Sequence, residues 1–141
     1  MASCLSELRT LDRAECLRLL GTVAVGRIVF TESALPAIQP VNFTLDGTDV
    51  IFRTSGGGKL AAAVAGTVVA FEADDIDPVT RSGWSVVVVG HASLICDIDR
   101  LVALASPDSR PWVTGRTNHV IRIKVERVTG RRLMPHTDNG H

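Results

Sequence analysis

The residues with the clearest potential for chemistry lie in a glycine-rich segment near the middle of the chain. An apolar stretch ends at Arg53, the hydroxyl residues Thr54 and Ser55 follow, and three glycines precede Lys59. Arginine can bind phosphate oxygens through two parallel hydrogen bonds, and glycines let backbone N–H groups approach an anion. Lys59 opens a predicted helix, whose positive end also favours an anion. The segment predicts a phosphate cradle, although a solvent-facing glycine-rich turn explains the same pattern.

This segment does not have the spacing of a nucleoside triphosphatase loop. In such a loop a glycine stands six positions before the lysine, and a serine or threonine follows the lysine to bind magnesium. Leu60 stands where that hydroxyl residue belongs, and Arg53 stands where a glycine would open the loop. A GxGxxG dinucleotide fingerprint is also absent. The predicted anion is therefore not a triphosphate bound in the usual loop.

Other reactive residue types do not form a recognisable site. The four histidines, at positions 91, 119, 136 and 141, lack the short ligand spacing typical of zinc sites. We interpret His91 as a hydrogen-bonded structural residue and the acidic run 72–77 as a solvated loop. Ser85 lacks the final glycine of a hydrolase nucleophile motif. The sequence identifies no catalytic residue and predicts no metal.

Composition limits the kinds of partner. Lys+Arg and Asp+Glu each total 15, so the formal net charge is zero, which argues against a nucleic-acid partner. The 141 residues predict a single domain, 1–141. Three scattered cysteines without a CxxC motif predict reduced thiols and a cytoplasmic location. No signal peptide and no apolar run long enough for a membrane are evident, so no membrane partner is expected.

Hydrophobic patterning predicts a mainly β protein. Strands are predicted at 23–31, 37–45, 50–54, 67–73, 83–96 and 119–128, and short helices at 11–21, at 59–65 and from 97 or 99 to 105. Gly26 indicates a bulge or a close backbone approach, and Pro40 favours an edge strand or a bulge. The four consecutive valines 86–89 require cover on both faces of their strand. A six-stranded antiparallel barrel with short peripheral helices fits best.

A set of sequence blocks carries a family resemblance over nearly the whole chain. In order, the blocks are ECLRLL, VGRIVF, PAIQPVNF, VIFRTSGGGKL, VAFEADDID, RSGWSVVVVGHASLI and VIRIKVERVTGRRL. Together they resemble the pyridoxamine 5′-phosphate oxidase-like family of FMN-binding split barrels. The resemblance implies a split β-barrel and a homodimer with two FMN molecules at its interface.

The resemblance also implies which residues bind the cofactor. The phosphate is expected on Arg53, Thr54, Ser55 and Lys59. The isoalloxazine ring is expected against the segment Pro40, Val41, Asn42 and Phe43, largely through backbone groups, and Trp84 near the flavin and the subunit interface. The chain lacks the tryptophan-containing C-terminal segment of true pyridoxamine phosphate oxidases, so their reaction is not expected here.

The expected function is therefore that of an FMN-dependent oxidoreductase acting on an unknown small molecule. Two alternatives stay open: a non-catalytic flavin or deazaflavin binding or carrier protein, and a deazaflavin-dependent reductase. A weaker alternative is a haem-binding relative with His91, His119 or His136 as the axial ligand.

Overall fold

The computed structural model describes residues 6–54, 58–95 and 119–135 of the chain. These residues form seven strands and two helices: β1 Ser6–Leu11, α1 Arg13–Leu20, β2 Val25–Glu32, β3 Leu35–Asp46, β4 Asp49–Thr54, α2 Lys59–Val64, β5 Val68–Asp77, β6 Ser82–Leu94 and β7 His119–Pro135. Several predictions concern residues outside these ranges: Ser55, His136, His141, two of the cysteines and the helix ending at residue 105.

Six of the strands close into an antiparallel barrel. Their order is β7-β4-β3-β2-β5-β6, and a further pairing between β6 and β7 completes the ring. β1 lies outside this ring and pairs with the second half of β7, from Ser6 opposite Pro135 to Leu11 opposite Gly130. The chain is a mainly β, antiparallel split barrel, as predicted, but it has seven described strands rather than six.

Two segments expected to be irregular are parts of strands. The polar stretch after residue 130 continues β7 to Pro135. The acidic run expected to be a solvated loop forms the second half of β5, because alternation buries Ala73 while Glu72 and Asp74 face outward. Both errors arise where charged outward-facing residues mask the strand pattern.

The helix α1 begins as its sequence predicts. The Asp12 side chain accepts a hydrogen bond from the Glu15 backbone N–H at 2.8 Å, which is the first half of a capping box. The Glu15 carboxylate binds Arg18 at 2.7 Å instead of returning to the cap. Three buried residues, Cys16, Leu19 and Leu20, join α1 to the core. The Cys16 thiol is free and buried.

The barrel interior is packed with aliphatic and aromatic side chains. Phe43 and Phe71 meet edge to face, with ring centroids 4.8 Å apart. Gly26 makes this packing possible, since a Cβ there would lie 2.2 Å from the Phe71 ring and 2.8 Å from the Glu72 carbonyl oxygen. The predicted close backbone approach at Gly26 is confirmed. No helix in the described part of the chain has the length and apolar character needed to cross a membrane.

Candidate functional site

The predicted site residues lie where strands β3 and β4 separate. The two strands form a hairpin around a two-residue turn, with pairs from Asp46–Asp49 to Phe43–Phe52. Continuing this register would place Asn42 opposite Arg53 and Val41 opposite Thr54. Instead, the first half of β3 pairs only with β2, and the end of β4 pairs with β7. Among the described residues, that half of β3 therefore has no strand partner on its β4 side.

Pro40 lies in the unpaired half of β3. It is opposite Arg27 of β2, and β3 forms no pair with β4 before Phe43. Because proline has no N–H to donate to a ladder, it suits a strand with one free edge. The predicted edge position is thus confirmed locally, although β3 as a whole lies between β2 and β4. This opening exposes backbone groups in the segment predicted to face the flavin ring.

Strand alternation divides the predicted residues between two faces. Val41 and Phe43 point into the barrel and are 8% and 5% exposed, while Pro40 and Asn42 are exposed on the outside. Thr54 is buried and Arg53 is half-buried, and as consecutive strand residues they point to opposite sides. The site therefore has an inner wall and an outer wall.

The Thr54 hydroxyl is the most informative polar atom of the site. Thr54 is 6% exposed, and its Oγ1 is the buried side-chain oxygen that lacks a hydrogen-bond partner in the described part of the chain. Buried hydroxyls in native structures are normally hydrogen-bonded, since desolvation without a partner costs free energy. An oxygen atom of a bound ligand would give Thr54 its missing partner.

The start of α2 adds a cation that closely follows Thr54 in sequence. Gly58 adopts a left-handed conformation, with φ 73°, and supplies no side chain to cap the helix. Lys59 follows it and is exposed, while Leu60, Ala61 and Val64 are buried and anchor α2. The first turn of α2 contains no acidic residue. Within residues 53–59 the chain thus offers a guanidinium group, a buried hydroxyl and an ammonium group, a combination that fits a phosphate chemically.

His119 is a neighbour of this site that sequence reasoning considered only as a metal or haem ligand. It is paired with Thr54 across the β4–β7 ladder. A Cβ on Gly58 would lie 2.9 Å from its Nε2 atom. This position depends on the register of two strands distant in sequence, and no local pattern around His119 indicates it.

Two other predicted residues have clear structural environments. Trp84 is 6% exposed and belongs to the hydrophobic core, so it packs within its own chain. His91 is on the surface, with its Nδ1 2.7 Å from the Glu126 carboxylate, which confirms the hydrogen bond predicted for it. Within the described ranges, no group of three His, Cys, Asp or Glu residues is arranged to hold a metal ion.

A group of charged residues adjoins the exposed part of β3. Arg27, which is opposite Pro40, lies 3.1 Å from Glu72 and 3.6 Å from Asp74. Burial raises the pKa of Glu72 from 4.5 to about 7, together with a hydrogen bond that its protonated carboxyl group donates to Asp74 and the negative charge of Asp74, while Arg27 opposes this change only in part. Near pH 7 the Glu72 carboxyl group is therefore partly protonated.

Comparison with known proteins identifies the family. The family model described as pyridoxamine 5′-phosphate oxidase matches residues 12–132. The chain belongs to this family. The match includes both walls of the site, from the separation of β3 and β4 to the start of β7.

Individual proteins are similar to this chain over most of its length. An uncharacterized protein of Mycobacterium tuberculosis is 47% identical over 133 residues, covering 91% of this chain and 87% of the relative. The FAD binding protein from Mycobacterium smegmatis is 36% identical, with a TM-score of 0.70, over 89% of this chain and 98% of its own. A conserved protein of unknown function from Corynebacterium diphtheriae is 30% identical, with a TM-score of 0.72, over 90% and 98%.

Glu72 generates a prediction about stability and pH. Because its folded pKa is raised from 4.5 to about 7, the folded protein holds a proton that the unfolded chain has released in this range. The free energy of unfolding should therefore fall as pH rises from about 4.5 to about 7. Glu72→Gln mimics the protonated carboxyl and should remove this component of the slope, as measured by urea unfolding at several pH values.

Asp74→Asn is the matched variant, because it retains Glu72 but removes the neighbouring carboxylate that raises its pKa. It should reduce the slope without abolishing it. Identical slopes in the wild type and Glu72→Gln would contradict this account.

Proposed function

We propose that the chain binds a flavin nucleotide at the separation of β3 and β4. Thr54, Arg53 and Lys59 are the described members of the phosphate cradle, and Ser55 is a further predicted member. The observation that carries the proposal is the buried Thr54 hydroxyl without a hydrogen-bond partner in the described part of the chain. The family membership and the FAD binding protein among the relatives support a flavin as the source of the phosphate.

The open half of β3 provides the second contact region for this cofactor. Pro40, Val41, Asn42 and Phe43 are proposed to lie along the isoalloxazine ring, with the backbone as the main contact. Exposed Asn42 is available on the outer wall, while buried Val41 and Phe43 hold the strand in place. Trp84, buried in the core, is proposed to support this region from within. We propose FMN as the cofactor because the cradle offers donors for one terminal phosphate.

We propose further that the bound flavin serves an oxidoreductase reaction. A flavin supplies hydride and electron transfer when bound, and the protein supplies binding, orientation and protection from water. This division explains why no nucleophile or acid–base set is evident in the sequence. The residues at the separation of β3 and β4 would hold the cofactor's phosphate and ring. The surfaces around the ring would then determine which substrate is bound.

Substitutions in the cradle test the binding site directly. Arg53→Ala and Lys59→Ala should each weaken FMN binding by about 1.5–3 kcal/mol, because each removes a charged donor to the phosphate. Thr54→Val should weaken it by about 1 kcal/mol while leaving the ligand-free protein as stable or more stable, since it removes a buried hydroxyl without a partner. Quenching of flavin fluorescence measures affinity, and urea unfolding measures stability.

Lys124→Ala is the control for these variants, because Lys124 is an exposed cation on β7 outside the cradle. It should bind FMN like the wild type. FAD and a deazaflavin titrated in parallel identify the preferred cofactor. If the cradle variants bind every flavin as tightly as Lys124→Ala does, the cradle is wrong.

Turnover distinguishes the oxidoreductase from a carrier. The reconstituted protein should be reduced by a nicotinamide cofactor and reoxidised by an added acceptor repeatedly, as followed by flavin absorbance under anaerobic conditions. Free flavin at the same concentration is the control for uncatalysed reduction. Stable binding with no acceleration over free flavin would support the carrier function instead.

We also propose that the protein is a homodimer formed through the outer face of the barrel. An apolar row crosses four strands there, because Ile38 pairs with Val29, Val29 with Ala70, and Ala70 with Val89. Ile38 is 67% exposed, and nearby Val87 is 37% exposed. Apolar surface that continues over several strands is typical of an interface. It also meets the predicted need of residues 86–89 for cover on both faces.

One charged substitution in this row and one beside it test the dimer. Ile38→Asp and Val87→Asp should each shift the protein from dimer to monomer, because a carboxylate would have to be desolvated at the interface. Val79→Asp is the control, since Val79 is 88% exposed in the turn between β5 and β6. Sedimentation velocity measures the mass. A wild type that is monomeric at all accessible concentrations would refute the proposal.

A further inference from the structure

The inner wall of the site contains an imidazole whose position is fixed by two independent features. In the β4–β7 ladder, Thr54 is directly opposite His119. Directly opposed residues on antiparallel strands place their side chains on the same face, with Cβ atoms about 4.5–5.5 Å apart. His119 therefore lies on the face that carries the buried Thr54 hydroxyl.

The second feature is the contact with Gly58. A Cβ on this glycine would approach the Nε2 atom of His119 to 2.9 Å, closer than side chains tolerate. The absence of a side chain at Gly58 thus leaves room for the imidazole against the backbone immediately before Lys59. The half-buried ring connects the end of β4 with the start of α2.

We propose that His119 is a binding residue of the phosphate cradle and makes cofactor affinity depend on pH. This inference rests on the proposed function, because it concerns the same phosphate. The imidazole donates a hydrogen bond to the phosphate from Nε2, and in its cationic form it adds a charge attraction. Histidine is the side chain whose charge ordinarily changes between pH 5 and 8. The contribution of His119 to the affinity for the phosphorylated cofactor is therefore larger at low pH than at high pH.

The charged groups on the surrounding elements are consistent with an anion at this position. α2 contributes Lys59 alone, and β4 contributes Arg53 near the site and Asp49 at its other end. Asp49 is bound to Arg122, which points to the opposite face of β7 and also binds Asp46.

The strand β6 adds no charge beside His119. Its last residue, Leu94, pairs with Ile121, and the next residue, Ile95, donates its backbone N–H to the Val120 carbonyl oxygen. The ionisable residue of β6, His91, is bound to Glu126 farther along β7. The charged residues of these elements near the cradle are therefore cations, whereas their carboxylates are paired with other residues farther away.

The test compares wild type with His119→Gln, which preserves a neutral donor but cannot become a cation. Affinities for FMN and for riboflavin are measured by fluorescence quenching at half-unit steps from pH 5.5 to 8. FMN is the same ligand in both titrations, so the ionisation of free FMN cancels in the ratio of the two affinities. The wild-type advantage for FMN should be larger at pH 5.5 than at pH 8, because only the imidazole can add a charge attraction to the phosphate.

Riboflavin separates this role from a structural one, because it has the ring but no phosphate. The variant should bind riboflavin as the wild type does at every pH, and its melting temperature should match. An FMN affinity ratio that does not change with pH, or an equal loss of riboflavin and FMN, would overturn the role of His119. A second variant, His119→Asn, must give the same pattern.

The result that would refute the flavin site differs from the result that would refute the role of His119. If the wild type binds neither FMN nor riboflavin, the flavin site itself is wrong, and the assignment of His119 falls with it. If Lys59→Ala binds FMN more weakly than the wild type does, while His119→Gln matches the wild type at every pH, the cradle stands and only His119 is excluded.

Discussion

The site depends on where backbone pairing between β3 and β4 ends. The hairpin is held by four residue pairs. Beyond Phe43 and Phe52, β3 pairs only with β2, and β4 pairs only with β7. The backbone groups of a strand need partners, so a strand without a neighbour on one side is open to another hydrogen-bonding molecule. Every candidate contact described above, apart from the core residue Trp84, lies at or next to this separation. The opening is thus formed by strands of the barrel itself.

Strand alternation separates two residues of the proposed cradle in a way that their residue types do not indicate. Arg53 and Thr54 are adjacent in sequence, but they reach the opening from opposite faces of the sheet. The outer wall carries Arg53 and the exposed residues of β3, and it adjoins the apolar row proposed as a dimer interface. The inner wall carries Thr54 and the histidine beside it. A ligand at the strand ends would therefore link the barrel interior with the interface region.

The sequence predicted the fold well wherever local signals were strong. The Asp46-Gly47 turn, the Asp12 cap and the backbone approach at Gly26 are encoded within a few residues, and each is present. β1 was missed because four of the six residues of SELRTL are charged or carry a hydroxyl group, and the strand gains its order by pairing with β7, more than one hundred residues later. The extension of β5 was missed for a related reason, since its acidic residues are paired with Arg27 from another strand.

The longest strand, β7, has a consequence for how the chain folds. It pairs with β1, β4 and β6, and it follows all of them in sequence. During synthesis, β4 and β6 therefore keep exposed edges until residues 119–135 have left the ribosome, and pairing across such long separations is slow. Over that interval the nascent barrel is an open sheet vulnerable to association with other chains. The strand that carries His119 to the opening is also the one that ends this vulnerable period.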